Sequence, residues 1–258
     1  SAGRRAGRGR QKRADYILRF SADYPIGVVE AKASYKSAAD AVQQARTYAE
    51  MLGLKFAYAT NGKDIIEIDY FQGAESRVPD FPRPEDLWRR YQAGSRIMAP
   101  AQVEHLLTPY NTVGGKTPRY YQQIAINRTV EAILGGKRRL LLTMATGTGK
   151  TGTAFQICWR LWNARWNRDG RPSKPRILYL ADRNILVDDP KDKTFAAFGD
   201  ARIKIEGGKA PKSREMYFAI YQALAGAEGR PPLYREYPPD FFELIIVDEC
   251  HRGSARED

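Results

Sequence analysis

The turn Met144-Ala145-Thr146-Gly147-Thr148-Gly149-Lys150-Thr151 constrains this chain more than any other stretch. It follows the apolar run Leu140-Leu141-Leu142 and opens a helix-like segment, so its context is strand, loop, helix. Gly147 and Gly149 permit backbone angles closed to other residues, and the N–H groups from Thr146 through Gly149 can then point inward as a nest for phosphate oxygens. The helix N-terminus adds partial positive charge. Lys150 is placed to reach the β- and γ-phosphates, and the Thr151 hydroxyl to take one position on Mg²⁺. The stretch reads as a nucleoside triphosphate site, with Mg²⁺ as the accompanying cation. Met144 stands where the strict phosphate-loop pattern has its first glycine, so a second signal is needed.

That signal is Phe241-Phe242-Glu243-Leu244-Ile245-Ile246-Val247-Asp248-Glu249-Cys250-His251. Four apolar residues running into paired carboxylates predict a strand buried on both faces, with the acids at its carboxyl end where ligands bind in open α/β sheets. Asp248 is placed to hold Mg²⁺, and Glu249 to orient or deprotonate the attacking water. His251 completes the same motif and is counted with the nucleotide-binding residues.

The 258 residues permit two domains. The formal charge of +12 is uneven, because residues 1–13 hold six basic side chains and no acid, an arm suited to a phosphate backbone. Two cysteines (Cys158, Cys250) and two histidines (His105, His251) are too few and scattered for a zinc site or a disulfide framework. A reducing cytoplasm is the expected compartment. Neither a membrane-spanning run nor a secretory signal is found.

At the start, Ala14 to Phe20 and Val28 to Lys32 flank a turn-rich stretch and predict a hairpin. Pairing Asp15 with Lys32 would centre the turn between Asp23 and Tyr24. Glu30 and Lys32, two apart, share a face, so one face gathers Asp15, Glu30 and Lys32. Two carboxylates and a lysine can hold a divalent metal against a scissile phosphate, while an exposed ion pair is the plainer alternative. Next, Ser37 is a good N-cap, Val42, Ala45, Ala49 and Leu52 fall at helical spacing, and Gly53 fits the C′ position. Gln44 and Tyr48 share a face of that helix. Phe56 to Thr60 and Ile65 to Tyr70 predict two further strands around Asn61-Gly62.

A hairpin with Asp, then Glu-x-Lys, then a helix bearing Gln-x-x-x-Tyr resembles the PD-(D/E)xK nuclease fold. The resemblance implies that Asp15 and Glu30 bind metal, that Lys32 is catalytic, and that Gln44 and Tyr48 support the site and contact DNA. That family also has an initial helix, which would precede Asp15; here the region is the basic arm, and the nuclease core is expected to be incomplete at its N-terminus.

The proline-rich stretch 79–117 predicts a linker with one short helix from Glu85 to about Ala93. Beyond it, Arg119-Tyr120-Tyr121-Gln122 opens a helix containing Ile126, Val130 and Ile133. A glutamine upstream of a phosphate loop can recognise adenine; Gln122 is taken for this role, with Gln123 an equal candidate by composition. Arg176 to Ala181 and Phe218 to Gln222 predict further strands, and alternation with helices predicts a doubly wound parallel sheet.

Taken together, the chain resembles the R (restriction and translocation) subunit of type I restriction enzymes. The residues that carry this are Arg-Ala-Asp-Tyr at 13–16, Glu-Ala-Lys at 30–32, Gln44 with Tyr48, Ala-Thr-Asn-Gly at 59–62, the turn at 144–151, Ala-Asp-Arg at 181–183 and Asp-Glu-Cys-His-Arg at 248–252. The implied organisation is a small mixed-sheet nuclease-like domain (1–78), the linker (79–117), and the first RecA-like motor domain (118–258). The implied activity is ATP-dependent translocation and cleavage of unmodified double-stranded DNA, in complex with methylation and specificity subunits. A second RecA-like domain with arginine fingers has no counterpart before Asp258, so a fragment of a longer protein is expected. The rival reading is a stand-alone superfamily 2 helicase with an inactive N-terminal accessory domain.

Overall fold

The computed structural model describes residues 14–113, 115, 117–225 and 231–249. The basic arm and His251 lie outside these residues. The chain divides into two units, Ser1–Met98 and Ala99–Asp258.

The first unit is a five-stranded sheet in sequence order: β1 (Tyr16–Ser21), β2 (Tyr24–Ala31), β3 (Phe56–Thr60), β4 (Ile65–Asp69) and β5 (Ala74–Val78). Only the β2–β3 pair is parallel, and its crossover carries helix α1 (Val42–Leu52). Ser37 caps the single turn Ala38–Ala41 that leads into α1, and Gly53 ends the helix at φ 67°. Small residues let the helix approach the sheet closely: Ala45 and Ala49 pack with Val28, Ala57 and Ile68. The opposite face of the sheet carries Phe56, Tyr58, Glu67 and Asp69, by strand alternation.

The hairpin register differs from the expected one by two residues. Tyr16 faces Val29, which sets Asp15 beside Glu30 rather than Lys32. Tyr24 is the reason. Its buried ring packs against Trp88 and Tyr91, so β2 begins directly after a two-residue turn and Ser21 faces Tyr24. Because the side-chain period of a strand is two, the shift leaves Asp15, Glu30 and Lys32 on one face.

The expected linker is not a separate segment. Its helix, α2 (Pro84–Ser95), belongs to the first unit: Trp88 stacks on Phe20 at 4.3 Å, and Arg90 bonds both Glu67 and Asp69 at 2.7 Å. Gly94 admits the closest contact, since a Cβ there would lie 2.3 Å from the Phe71 ring.

The second unit holds a four-stranded, wholly parallel sheet ordered β7-β8-β6-β9, from β6 (Ile177–Ala181), β7 (Arg202–Lys204), β8 (Met216–Ile220) and β9 (Leu244–Val247). Its helices include α3 (Pro100–Leu107), α4 (Tyr120–Leu134) and α5 (Lys150–Asn163). One face of the sheet packs Ile177, Tyr179, Met216 and Phe218 against Phe155 and Cys158 of α5; the other packs Leu178, Leu180 and Tyr217 against Tyr237 and Phe241. The chain is thus α/β, with one mixed and one parallel sheet. Arg160, fully buried, ties three helices together by donating to Asn127 Oδ1 on α4 at 2.6 Å and to the Leu106 carbonyl on α3.

Two strand expectations need correction. Leu140-Leu141-Leu142 is not among the described strands, and Leu141 is 80% exposed. Nor is β9 buried on both faces. It pairs only with β6, so it is an edge of the described sheet, and Ile245 and Val247 remain 53% and 42% exposed. No helix among the described residues is long and apolar enough to cross a membrane.

Candidate functional site

In the first unit the hairpin brings two carboxylates into mutual contact. The Asp15 amide donates to Glu30 Oε1 at 3.2 Å, and the Ala31 amide donates to Asp15 Oδ2 at 2.9 Å. Glu30 is 0% exposed, and its Oε2 is buried without a hydrogen-bond partner. Burial, reinforced by the Asp15 charge and opposed by the Asp15 amide and Lys32, raises its pKa from 4.5 to about 6. A buried carboxylate oxygen without a partner asks for a reason, and a cation beside Asp15 would satisfy it. Among the described residues no cluster of three or more metal-ligating acids, histidines or cysteines occurs. The protein would therefore supply two carboxylates, with water and phosphate completing the shell in the manner Mg²⁺ prefers.

Lys32 is held on the same face by α1: its Nζ donates to Gln44 Oε1 at 2.9 Å. Gln44 thus stands in contact with Lys32. Tyr48, one turn on, does not join them; its ring is buried in the core between α1 and the sheet, with Val28, Ala45 and Ala57. Burial of an apolar ring wins over exposure at the site.

In the second unit, Gly147 and Gly149 adopt φ of 77° and 85°, and α5 begins at Lys150 with Gly149 as its N-cap. Thr148 closes the turn through its hydroxyl, which donates to the Ala145 carbonyl at 2.6 Å, while Thr146 is exposed. Gln122 buttresses the loop: its Nε2 donates to the Thr148 carbonyl at 2.9 Å, and its Oε1 accepts from the Arg119 amide at 2.8 Å. Both ends of the amide expected to read adenine are therefore engaged, one by the loop and the other by the N-cap amide of α4. A Cβ on Gly149 would come within 2.4 Å of Gln122 Nε2, so glycine is required there for this contact as well as for its backbone angle. Beside the loop lies a cavity of about 1110 Å³ whose lining includes Asn111, Gln122, Gly147, Gly149, Thr153 and Gln156.

The carboxyl end of β9 delivers the acids to the loop. The Asp248 amide extends the β6 pairing by donating to the Leu180 carbonyl at 2.8 Å, and Glu249 turns out of the strand at φ 52°. Lys150 Nζ and Glu249 Oε1 form an ion pair at 3.1 Å. Asp248 accepts from the Glu249 amide at 2.9 Å and from the Tyr179 hydroxyl, and Thr151 lies beside that phenol. Thr151, Lys150, Asp248 and Glu249 are thereby gathered at one place. A helix N-terminus, a glycine nest, a lysine and a hydroxyl–carboxylate pair fit a triphosphate with Mg²⁺.

Residues 115–258 match the family described as the type III restriction enzyme, res subunit. The chain belongs to this family. It is also homologous to endonuclease subunits of type I restriction enzymes. It is 43% identical to the type I restriction enzyme EcoAI endonuclease subunit of Escherichia coli, over 99% of this chain and 32% of that protein. It is 28% identical to the EcoKI endonuclease subunit of Escherichia coli K12, over 78% of this chain and 18% of that protein. Among solved structures, the fragment structure of a putative HsdR subunit of a type I restriction enzyme from Vibrio vulnificus YJ016 superposes with a TM-score of 0.83 at 54% identity, covering 97% of this chain and 44% of that one. The chain thus spans about a third or less of the curated relatives it matches. The second unit of this restriction-family chain fits a RecA-like fold.

Tyr179 escaped the sequence reading. It stood inside a strand of apolar residues, and its partner Asp248 lies 69 positions away. A tyrosine is amphipathic, and its hydroxyl needs a partner when the ring is buried; that is the signal the position offered.

Proposed function

We propose that this chain carries the DNA-cleaving and the ATP-driven DNA-moving parts of a type I restriction-modification system. It would act in the cytoplasm on unmodified double-stranded DNA, beside methylation and specificity subunits. The observation that carries the reading is the Asp15–Glu30 pair with Lys32 held over it by Gln44, because a helicase with an inert N-terminal domain has no use for a buried carboxylate oxygen left without a partner.

In this reading the first unit has the PD-(D/E)xK nuclease fold, and Asp15 and Glu30 would hold Mg²⁺. The metal would polarise the scissile phosphate and lower the pKa of bound water. Lys32, oriented by Gln44, offsets negative charge as it builds on the phosphate, and a cation beside Glu30 would favour the carboxylate form that burial alone disfavours. In the second unit the glycine nest and α5 bind the phosphates of ATP, with Thr151 and Asp248 as the residues that would hold its Mg²⁺. Lys150 exchanges Glu249 for phosphate oxygens, which frees Glu249 to orient the attacking water and take its proton.

The test measures two outputs of the assembled complex: linearisation of an unmodified circular plasmid, and phosphate release. Lys32→Ala is expected to abolish cutting and leave ATP hydrolysis at its normal rate. Normal cutting by Lys32→Ala would overturn the nuclease assignment and leave the motor assignment standing.

A further inference from the structure

Tyr179 is fully buried in β6, its ring against Phe195 and Phe218, yet its hydroxyl emerges at the carboxyl end of the sheet. There the phenol donates to Asp248 Oδ2. Register explains the placement. Tyr179 faces Ile246 across the β6–β9 pair, and Asp248, two residues further on, returns to the same face of the sheet. Direction matters here, because a carboxylate accepts only, so the phenol must be the donor, and the Glu249 amide donates to the other oxygen, Oδ1. With one donor on each oxygen the Asp248 carboxylate is held in a single orientation, and its remaining lone pairs are those left for a cation.

We propose that Tyr179 is a positioning residue of the nucleotide site: by donating its proton to Asp248 Oδ2, it fixes the carboxylate at the end of β9 so that its free lone pairs serve one divalent cation. This rests on the nucleotide reading above. Phenylalanine at this position keeps the ring and its packing and removes only the hydroxyl. The chain with Tyr179→Phe would still present the glycine nest and Lys150 to ATP, and lose only the advantage that the metal confers.

The experiment titrates the non-hydrolysable imido analogue of ATP into the whole chain by calorimetry, with EDTA and then at a series of free Mg²⁺ concentrations. Tyr179→Phe is expected to keep metal-free affinity within about twofold of wild type, and to raise the Mg²⁺ concentration at half-maximal effect about tenfold, the size of one lost hydrogen bond to a charged group. In an Asp248→Asn background the same change should add less than about twofold, because the two residues act as one unit. Asp248→Asn alone should move the Mg²⁺ midpoint at least as far as Tyr179→Phe does, so the test survives even where the tyrosine variant folds poorly. An unmoved Mg²⁺ midpoint in Tyr179→Phe or in Asp248→Asn overturns the proposal. So does an equal loss of affinity with and without metal, which marks a merely structural role, or full additivity with Asp248→Asn. Wild type that binds no analogue in either condition is a different result: the nucleotide reading itself fails and takes the proposal with it.

Discussion

Glu30 has one oxygen on the Asp15 amide and the other on no partner, and its pKa is raised from 4.5 to about 6, first by burial. The sign of its effect on stability follows. The folded state holds a proton that the unfolded state has already released between those two values, so stability is lost as pH rises through about 6. The loss approaches about 2 kcal/mol at pH 7.5, since each tenfold change in proton affinity is worth roughly 1.4 kcal/mol. Glu30→Gln, which cannot ionise, is therefore expected to be more stable than wild type at pH 7.5 by up to about 2 kcal/mol. The advantage should vanish below about pH 4.5, where Glu30 is protonated in both states. Urea unfolding at the two pH values checks this, and a glutamine variant no more stable at pH 7.5 would mean that Glu30 is not held at a cost. The same variant should be unable to cut DNA, since stability and function oppose each other at such positions. Asp15, Glu30 and Lys32 were legible in the sequence because a strand's two-residue period puts them on one face whatever the register. Tyr48 and Gln122 were not, because a motif position says nothing about which neighbour a side chain meets first: the core took Tyr48, and the Thr148 carbonyl took Gln122.

The element least legible in the sequence was α2. Its prolines suggested a connector, whereas Leu87, Trp88 and Tyr91 fall at helical spacing and are all buried. What fastens the helix is Arg90, which bonds two carboxylates, Glu67 and Asp69, both nearly buried on the sheet. Arg90→Ala leaves those charges unpaired, at an expected cost of about 3–5 kcal/mol to the first unit, measurable by urea unfolding. A cost under about 1 kcal/mol would mean that α2 is not seated there. The other misjudged element is Leu140-Leu141-Leu142. Its apolar run is of strand length, it lies exposed, and it leads into a loop joined to the end of β9 by the Lys150–Glu249 pair. An open, apolar edge such as that of β9 invites another strand. With ATP and Mg²⁺ present, the amides of residues 140–143 are expected to show strand-like protection in hydrogen exchange. Fast exchange under saturating nucleotide would show that the sheet remains as four strands.

At the scale of the whole molecule, the two sites lie in separate units of one chain, with the acids of the first within residues 15–30 and those of the second at 248–249. Each site uses a lysine among carboxylates, and the partners of the two lysines differ in kind. Lys32 is held by a neutral amide and keeps its charge available, whereas Lys150 is neutralised by Glu249 until a phosphate replaces that partner. This makes the second site conditional on ligand and the first a standing arrangement. If cleavage follows translocation, as in the reading proposed for this chain, loss of the two lysines should be asymmetric in the assembled complex. Lys150→Ala removes the main charge facing the β- and γ-phosphates, and is expected to abolish both ATP turnover and plasmid cutting. Lys32→Ala is expected to abolish cutting alone. Glu249→Gln should resemble Lys150→Ala in turnover and differ in binding: it retains ATP, because the lysine survives and has lost its competing carboxylate, while hydrolysis slows by orders of magnitude. Phosphate release, nucleotide affinity and plasmid linearisation, measured side by side on the three variants, separate these outcomes. Cutting that persists in Lys150→Ala would uncouple the nuclease from the motor and end the translocation reading.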